Sequence, residues 1–253
     1  MSEQPKRAGP AGDGPKPPRE PAIVIPVLAR GKGFALVDKP AGLPVDGDGA
    51  DCVKLLARQL GPPGGRAWPR VVHRLDRDTT GCLVVALDQR SEQGLKERFD
   101  RGEVDKRYLA LVRGAPPETQ SIDTPFGPDP NDRRRHTTRI DTPRRARLSY
   151  EVRERFRVGT PAECALLAVT LDTGRTHQIR VQLSEGGLPI LGDPLYGLTG
   201  DALEAIAPGL AALLTRPGLH AERLSFPAFD DATTIACVAP MPEDLRRVIE
   251  RLR

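Results

Sequence analysis

The apolar residues of this 253-residue chain fall in short runs of two different periods, mixed along its length without a repeating order, and this limits the fold to a sheet with helices laid against it. Phe34–Val37 reads as a short strand leading into Asp38-Lys39-Pro40, with Ala41-Gly42 turning the chain. Val53, Leu56, Ala57 and Leu60 fall at helical spacing. Leu83–Leu87 is a continuous apolar run between Gly81 and Asp88, the pattern of a strand buried on both faces. Ser91 caps a predicted helix that turns Leu95 and Phe99 inward. Tyr108–Val112, Leu148-Tyr150-Val152 and Cys164–Leu171 read as strands. Thr176 suits a helix cap, with Gly186-Gly187 as the stop, although Ile179, Val181 and Leu183 also alternate as in a strand. Pro242 fits the first turn of a last helix with one stripe of Leu245, Val248, Ile249 and Leu252. No regular strand-helix-strand rhythm runs through these elements, so the expected class is α+β, a mixed, mainly antiparallel sheet with flanking helices.

Composition narrows the function classes. Residues 1–22 are rich in Pro and Gly and nearly free of large apolar side chains, so they are expected to form a disordered tail, with one folded domain over 23–253. They contain no signal-peptide core, and no apolar run in the chain reaches membrane-spanning length; a cytoplasmic, monomeric protein is expected. Cys52, Cys82, Cys164 and Cys237 stand far apart, outside any metal-ligand or disulfide framework, and are read as reduced structural thiols. The four histidines, His73, His136, His177 and His220, are too scattered for a metal site. Neither a GxGxxG nor a Walker signature is present, nor a GxSxG or reactive-Cys context. No metal and no cofactor are expected. The net charge of +4 favours a polyanionic partner only mildly.

Three segments concentrate the side chains that could do chemistry. Val71–Gly81 packs His73, Arg74, Asp76, Arg77, Asp78, Thr79 and Thr80 directly before the buried run, a setting for a loop at a sheet edge. Asp76 there could be a nucleophile or general base, or simply a turn residue, and the residue types alone favour the turn. Asp172–Leu183 sets Arg175, His177, Gln178 and Arg180 among apolar positions. Arg180 could pair with a partly buried carboxylate and Arg175 and His177 could meet phosphate, the alternative being a solvated helix face. The third segment, Arg133-Arg134-Arg135-His136-Thr137-Thr138-Arg139 on to Arg144, Arg145 and Arg147, reads as an exposed basic arm suited to RNA phosphates.

These segments carry a resemblance. HRLDRDTTG (73–81) resembles the HRLDxxTSG motif of RluA-type pseudouridine synthases. DKPAGLPV (38–45) matches that family's first motif, KRYLALV (106–112) the segment with its active-site tyrosine, GRTHQIRVQL (174–183) and GDPLYG (192–197) its third motif and the element after it, and LHAERLSF (219–226) its late strand. Five matches in family order span Asp38 to Phe226. The resemblance implies a pseudouridine-synthase catalytic domain in which Asp76 is the catalytic aspartate, Tyr108 lies against the target base and Arg180 holds Asp76 charged and oriented. It also implies that Arg74 fills the gap left by a flipped nucleotide and that Ile179 walls the pocket, with His73, Arg175, His177 and Arg133–Arg135 on the substrate side.

The implied reaction breaks the C1′–N1 bond of a uridine, turns the uracil and rejoins it through C5, which one carboxylate can assist without a redox or metal step. Addition of Asp76 to C1′ and removal of a sugar proton are both open. The target base must leave its stack, and phosphate contacts with a plugging arginine offset that cost. The partner implied is RNA, with transfer RNA, ribosomal RNA or both as substrate. Three departures stand out: Thr80 replaces the usual Ser, PAF (227–229) stands where a His-Pro pair is common, and nothing resembles an S4-like RNA-binding module. Substrate selection would then fall to the catalytic domain. Two other classes compete: an RNA-binding assembly factor that kept the fold and lost catalysis, and an acid/base hydrolase using Asp76 and His73.

Overall fold

Thr80–Ala86 is buried at all seven positions because layers cover both faces of the sheet that contains it. The computed structural model describes residues 23–61, 69–229 and 233–253; the expected tail over 1–22 lies outside them. The strands and helices run in the order β1 (Val27–Gly31), β2 (Phe34–Lys39), α1 (Cys52–Leu60), β3 (Arg70–Val71), β4 (Thr80–Ala86), α2 (Gln89–Asp100) and β5 (Asp105–Arg113). There follow β6 (Thr119–Pro125), β7 (Gly127–Pro128), β8 (His136–Thr137), β9 (Arg145–Phe156), β10 (Cys164–Leu171) and α3 (Gln178–Glu185). The chain closes with α4 (Asp201–Glu204), α5 (Leu210–Leu213), β11 (Leu219–Pro227), β12 (Thr234–Val238) and α6 (Glu243–Leu252).

The main sheet has the order β1-β2-β4-β11-β5-β10-β9-β6, with β3 beside β4 and β12 beside the second half of β11. Among the described residues its only parallel pairing joins β4 to β11, through Thr80 with His220 and Gly81 with Ala221. The fold is the mixed, mainly antiparallel α+β arrangement expected from the sequence. Ala35, Val37, Leu83, Val85, Tyr108, Ala110, Leu167 and Val169 point to one face, where Cys52 and Leu56 of α1 and Ile179 and Leu183 of α3 cover them. Phe34, Leu36, Cys82 and Val84 point to the other face, under Leu95 of α2. On that same face Leu109, Leu111, Cys164 and Leu166 lie under α4–α6 and the full stripe Leu245, Val248, Ile249 and Leu252.

The helix boundaries correct three expectations. Asp88, not Ser91, caps α2: its Oδ1 accepts from the Ser91 backbone N at 2.7 Å, because Asp88 stands outside the helix in extended conformation while Ser91 is already in its first turn. The residue before α3 is His177 rather than Thr176, in the left-handed conformation at φ 58°. The segment 178–185 is a helix, so the strand-like alternation of Ile179, Val181 and Leu183 misleads; both faces of α3 are buried. Pro242 sits just outside α6.

The parallel joint explains the glycine in HRLDRDTTG. Gly81 has φ +110°, and a Cβ there would lie 2.2 Å from the Ala221 carbonyl oxygen. Gly42 also has positive φ, +77°, but faces open space. Gly81→Ala should therefore lower unfolding free energy by roughly 2–5 kcal/mol, the sum of left-handed strain and a backbone clash. Gly42→Ala should lose only the strain, about 1–2 kcal/mol. Urea titration of both variants checks the difference.

Candidate active site

Asp76 lies in the loop between β3 and β4, and several separate groups hold that loop. Its own turn is closed by Thr79 N donating to the Asp76 carbonyl at 3.1 Å. Lys39, fully buried at the end of β2, donates all three ammonium protons to carbonyls: Arg77 and Leu43 at 2.8 Å and Pro40 at 2.9 Å. Burial pulls its pKa down to about 8. Arg216 bridges two regions, gripping Asp244 of α6 with Nε and Nη2 (2.6 and 2.9 Å) while Nη1 donates to the Asp78 carbonyl at 3.2 Å. The Thr80 hydroxyl sits 2.9 Å from His220 Nδ1, and His220 Nε2 lies 3.3 Å from the Ala239 carbonyl. The carbonyl can only accept, so Nε2 carries the proton and Thr80 donates to Nδ1. A hydroxyl is needed at residue 80, and Thr meets that need as Ser would.

On the carboxylate itself, Arg180 Nη1 donates to Asp76 Oδ2 at 2.9 Å. The same guanidinium binds Asp193 with Nε and Nη2 at 2.6 and 2.8 Å. The side chain of Asp193 is 0% exposed, that of Arg180 8% and that of Asp76 26%. Burial works against both charges of the inner pair. Their contact more than reverses it, so Arg180 titrates above and Asp193 below its ordinary range. Asp193 also accepts from the backbone N of Leu195 and Tyr196, which fixes the GDPLYG turn around it. Asp76 Oδ1 has no hydrogen-bond partner among the described residues. His177 Nε2 stands 4.0 Å from Asp76 Oδ2, beyond hydrogen-bond reach.

Tyr108 and Ile179 are buried on the same face of the sheet as Leu75, next to Asp76 in the loop. Burial and the Asp76 charge push the Tyr108 phenol well above its ordinary pKa, so at neutral pH it is a protonated, apolar-sided wall. Arg74 is exposed, its Nε 3.3 Å from Asp46. The structure brings Asp76, Arg180, His177, Tyr108 and Ile179 together, with Arg74 at the rim.

Other expected site residues lie elsewhere. His73 turns inward, stacked on Phe99 at 4.8 Å with Nε2 accepting from the Val84 backbone N at 3.1 Å; burial takes its pKa to about 3. That ring is a strap beneath β4 rather than a group facing the opening. In the basic arm, Arg134 pairs with Asp132 at 2.9 Å, and Arg135 lies 4.7 Å over the Tyr196 ring and donates to the Leu195 carbonyl. Arg133, Arg139, Arg144 and Arg147 are exposed without a carboxylate partner among the described residues. Arg175 is half-buried, its Nε without a partner. The arm is not loose: Thr137 and Thr138 bind Glu185 of α3, and His136 N donates to Tyr196 Oη at 2.8 Å. At PAF, the strand runs through Pro227, and Arg98 clamps its end by donating to the Pro227 and Ala228 carbonyls at 2.8 and 2.6 Å.

The profile of the RNA pseudouridylate synthase family matches residues 33–185, which contain Asp76, Tyr108 and Arg180. The chain belongs to this family. It is an RNA pseudouridine synthase of the RluA type, an isomerase. The ribosomal large subunit pseudouridine synthase D of Xanthomonas campestris pv. campestris is 40% identical over 242 residues, 91% of this chain and 70% of that one. An RNA pseudouridine synthase of Zymomonas mobilis is 34% identical over 232 residues, 87% of this chain and 97% of that one. Among solved structures, human RNA pseudouridylate synthase domain containing 4 superposes with a TM-score of 0.70 at 26% identity, over 90% of this chain and 92% of that one. Among the described residues no helix of this synthase is long and apolar enough to cross a membrane.

Sequence reasoning gave no role to Asp193, Tyr196, Lys39, His136 or Arg216. One signal was present: a buried arginine needs a carboxylate, and the Asp of GDPLYG is the next acidic residue after Glu185. Asp193→Asn leaves Arg180 short of a counter-charge and should lower stability by about 3–5 kcal/mol, read by denaturant titration. His220, with its pKa pushed down to about 4, is neutral in the fold and charges in the unfolded chain below about pH 6.5. Its contribution is thus full above pH 6.5 and is lost as pH falls towards 4, a decline of about 3 kcal/mol. Because His73, also held well below its ordinary pKa, adds a decline of the same sign, wild type should fall more steeply than His220→Gln by about that amount between pH 6.5 and 4.

Proposed function

We propose that this synthase isomerises a uridine of large-subunit ribosomal RNA, with Asp76 as the reacting carboxylate. The observation that carries the catalytic part is the asymmetry of Asp76: Oδ2 is held by a guanidinium that is itself anchored on a buried aspartate, while Oδ1 has no hydrogen-bond partner among the described residues. A carboxylate held by one oxygen keeps a fixed direction and a free lone pair, which suits either addition to C1′ or removal of a sugar proton. The protonated Tyr108 and Ile179 form a wall against which a flipped uracil can turn while detached. Arg74, exposed at the rim, can occupy the vacated stack. Arg133, Arg139, Arg144 and Arg147 supply sequence-independent phosphate contacts. The ribosomal assignment is supported by the name of the Xanthomonas relative, which aligns over 91% of this chain.

The test uses RNA labelled with tritium at uracil C5, since forming pseudouridine replaces that hydrogen. Large-subunit ribosomal RNA and transfer RNA, both from cells lacking the protein, are incubated separately with wild type and Asp76→Ala. Release is expected from the ribosomal RNA with wild type, falling by more than ~10³ in the variant. Release from transfer RNA alone would overturn the ribosomal assignment. Undiminished release by the variant would remove Asp76 from the chemistry, and free uracil in place of pseudouridine would indicate a hydrolase.

A further inference from the structure

Tyr196 is 6% exposed and has its hydroxyl between two nitrogen atoms, the His136 backbone N at 2.8 Å and His177 Nδ1 at 3.0 Å. A backbone N–H can only donate, so it occupies one lone pair of Oη. If His177 Nδ1 also carried a proton, it would take the second lone pair, and the phenol proton would have no acceptor among the described residues. If Nδ1 is bare, the phenol donates to it and every group is satisfied. The second arrangement leaves the proton on Nε2, the nitrogen 4.0 Å from Asp76 Oδ2. His177 is also one of two non-glycine residues at positive φ among the described residues, and such strain persists where the surroundings hold it, as at functional sites.

The charges around the ring make its protonation state matter. From α3 comes Arg180, from the turn after it Asp193 and Tyr196, from β8 His136, and from the β3–β4 loop Asp76. Arg180 with its two carboxylates sums to one net negative charge, and that charge sits at Asp76. A second cation 4.0 Å away would cancel it.

We propose that Tyr196 is a positioning residue that holds His177 neutral, as the Nε2–H tautomer, and so leaves Asp76 served by a single shared guanidinium. The inference rests on Asp76 being the reacting carboxylate, but not on which RNA is the substrate. Burial already depresses the His177 pKa, with Arg180 and His136 acting the same way against the opposing pull of Asp76 and Asp193. The phenol proton on Nδ1 adds to this depression, since a protonated ring cannot accept it.

Tyr196→Phe tests the idea, because it keeps the ring that lies 4.7 Å from Arg135 and 5.2 Å from Arg180 and removes only the hydroxyl. Long-range ¹H–¹⁵N spectra of the free protein read the tautomer and titration of His177. Tritium release from C5-labelled bulk RNA of cells lacking the protein, followed against pH, reads the consequence. Wild type should show Nε2–H. In Tyr196→Phe the His177 titration and the acid limb of kcat should both move up by about one pH unit, with KM within about twofold. His177→Gln keeps an N–H donor that cannot titrate, and should lose that limb whatever the height of its pH-independent plateau. It also serves as the test if Tyr196→Phe folds poorly. An Nδ1–H tautomer in wild type, an unshifted profile in Tyr196→Phe, or an unchanged acid limb in His177→Gln would each overturn the proposal. The spectra need no substrate, so a failure there is separate from a wrong assignment of the RNA.

Discussion

Arg180 sits almost out of water between two carboxylates, and much of the site's geometry follows from how that charge is satisfied. A buried guanidinium is tolerated only when its donors are taken up with good geometry. Asp193 meets Nε and Nη2 in the fork arrangement that matches a carboxylate, leaving Nη1 aimed at Asp76. Because Asp193 is held in turn by the backbone N of Leu195 and Tyr196, the direction of Nη1 is set by a turn thirteen residues beyond Arg180 and not by the rotamers of a long side chain. Asp193 therefore determines where Asp76 points, although the two do not touch.

The loop bearing Asp76 is anchored through its main chain. Lys39 reaches the Arg77 carbonyl and Arg216 the Asp78 carbonyl, two successive positions of the loop. A tight turn leaves carbonyls that no strand neighbour can satisfy, and a buried cation with several donors serves them without adding an acceptor that would compete for Arg180. Lys39 has three protons and three carbonyls, so its burial leaves no donor unmet despite the absence of a paired carboxylate at bonding distance. Arg216 also links the loop to α6 through Asp244. The last helix thus bears on the position of the Asp76 loop, which lies far from it in sequence.

What could be read from the sequence follows the range of the interactions. Strands such as Cys164–Leu171 and the α6 stripe are legible because burial on fixed faces imposes a period within a few residues. Asp76, Tyr108 and Arg180 are legible through motifs whose spacing the fold preserves. Asp88 as the cap of α2 was missed because Asp and Ser three apart satisfy the same capping logic, and only the backbone conformation separates them. The resemblance puts His73 on the substrate side with its neighbour Arg74, but Arg74 is exposed while His73 packs on Phe99 and binds the Val84 backbone N, contacts that only the tertiary fold creates. Tyr196 and Asp193 stand in a quoted motif, but their roles depend on contacts with His136 and Arg180, which no local pattern specifies.

The same division applies to the basic arm. By sequence its arginines look equivalent; in the fold Arg134 and Arg135 are engaged internally, by Asp132 and by Tyr196, while Arg133, Arg139, Arg144 and Arg147 remain open to solvent. Free guanidinium groups on phosphates add affinity that falls with salt and carries little sequence information. Under the proposed function, discrimination between uridines would fall to shape, meaning how far a strand can approach Asp76 while its backbone follows the arm. The arm itself is pinned to α3 by the bonds from Thr137 and Thr138 to Glu185, and to the turn that holds Asp193 by the bond from His136 to Tyr196. The groups that orient the Asp76 carboxylate and those that hold the basic arm therefore meet at Tyr196, whose backbone N binds Asp193 and whose hydroxyl accepts from His136 N.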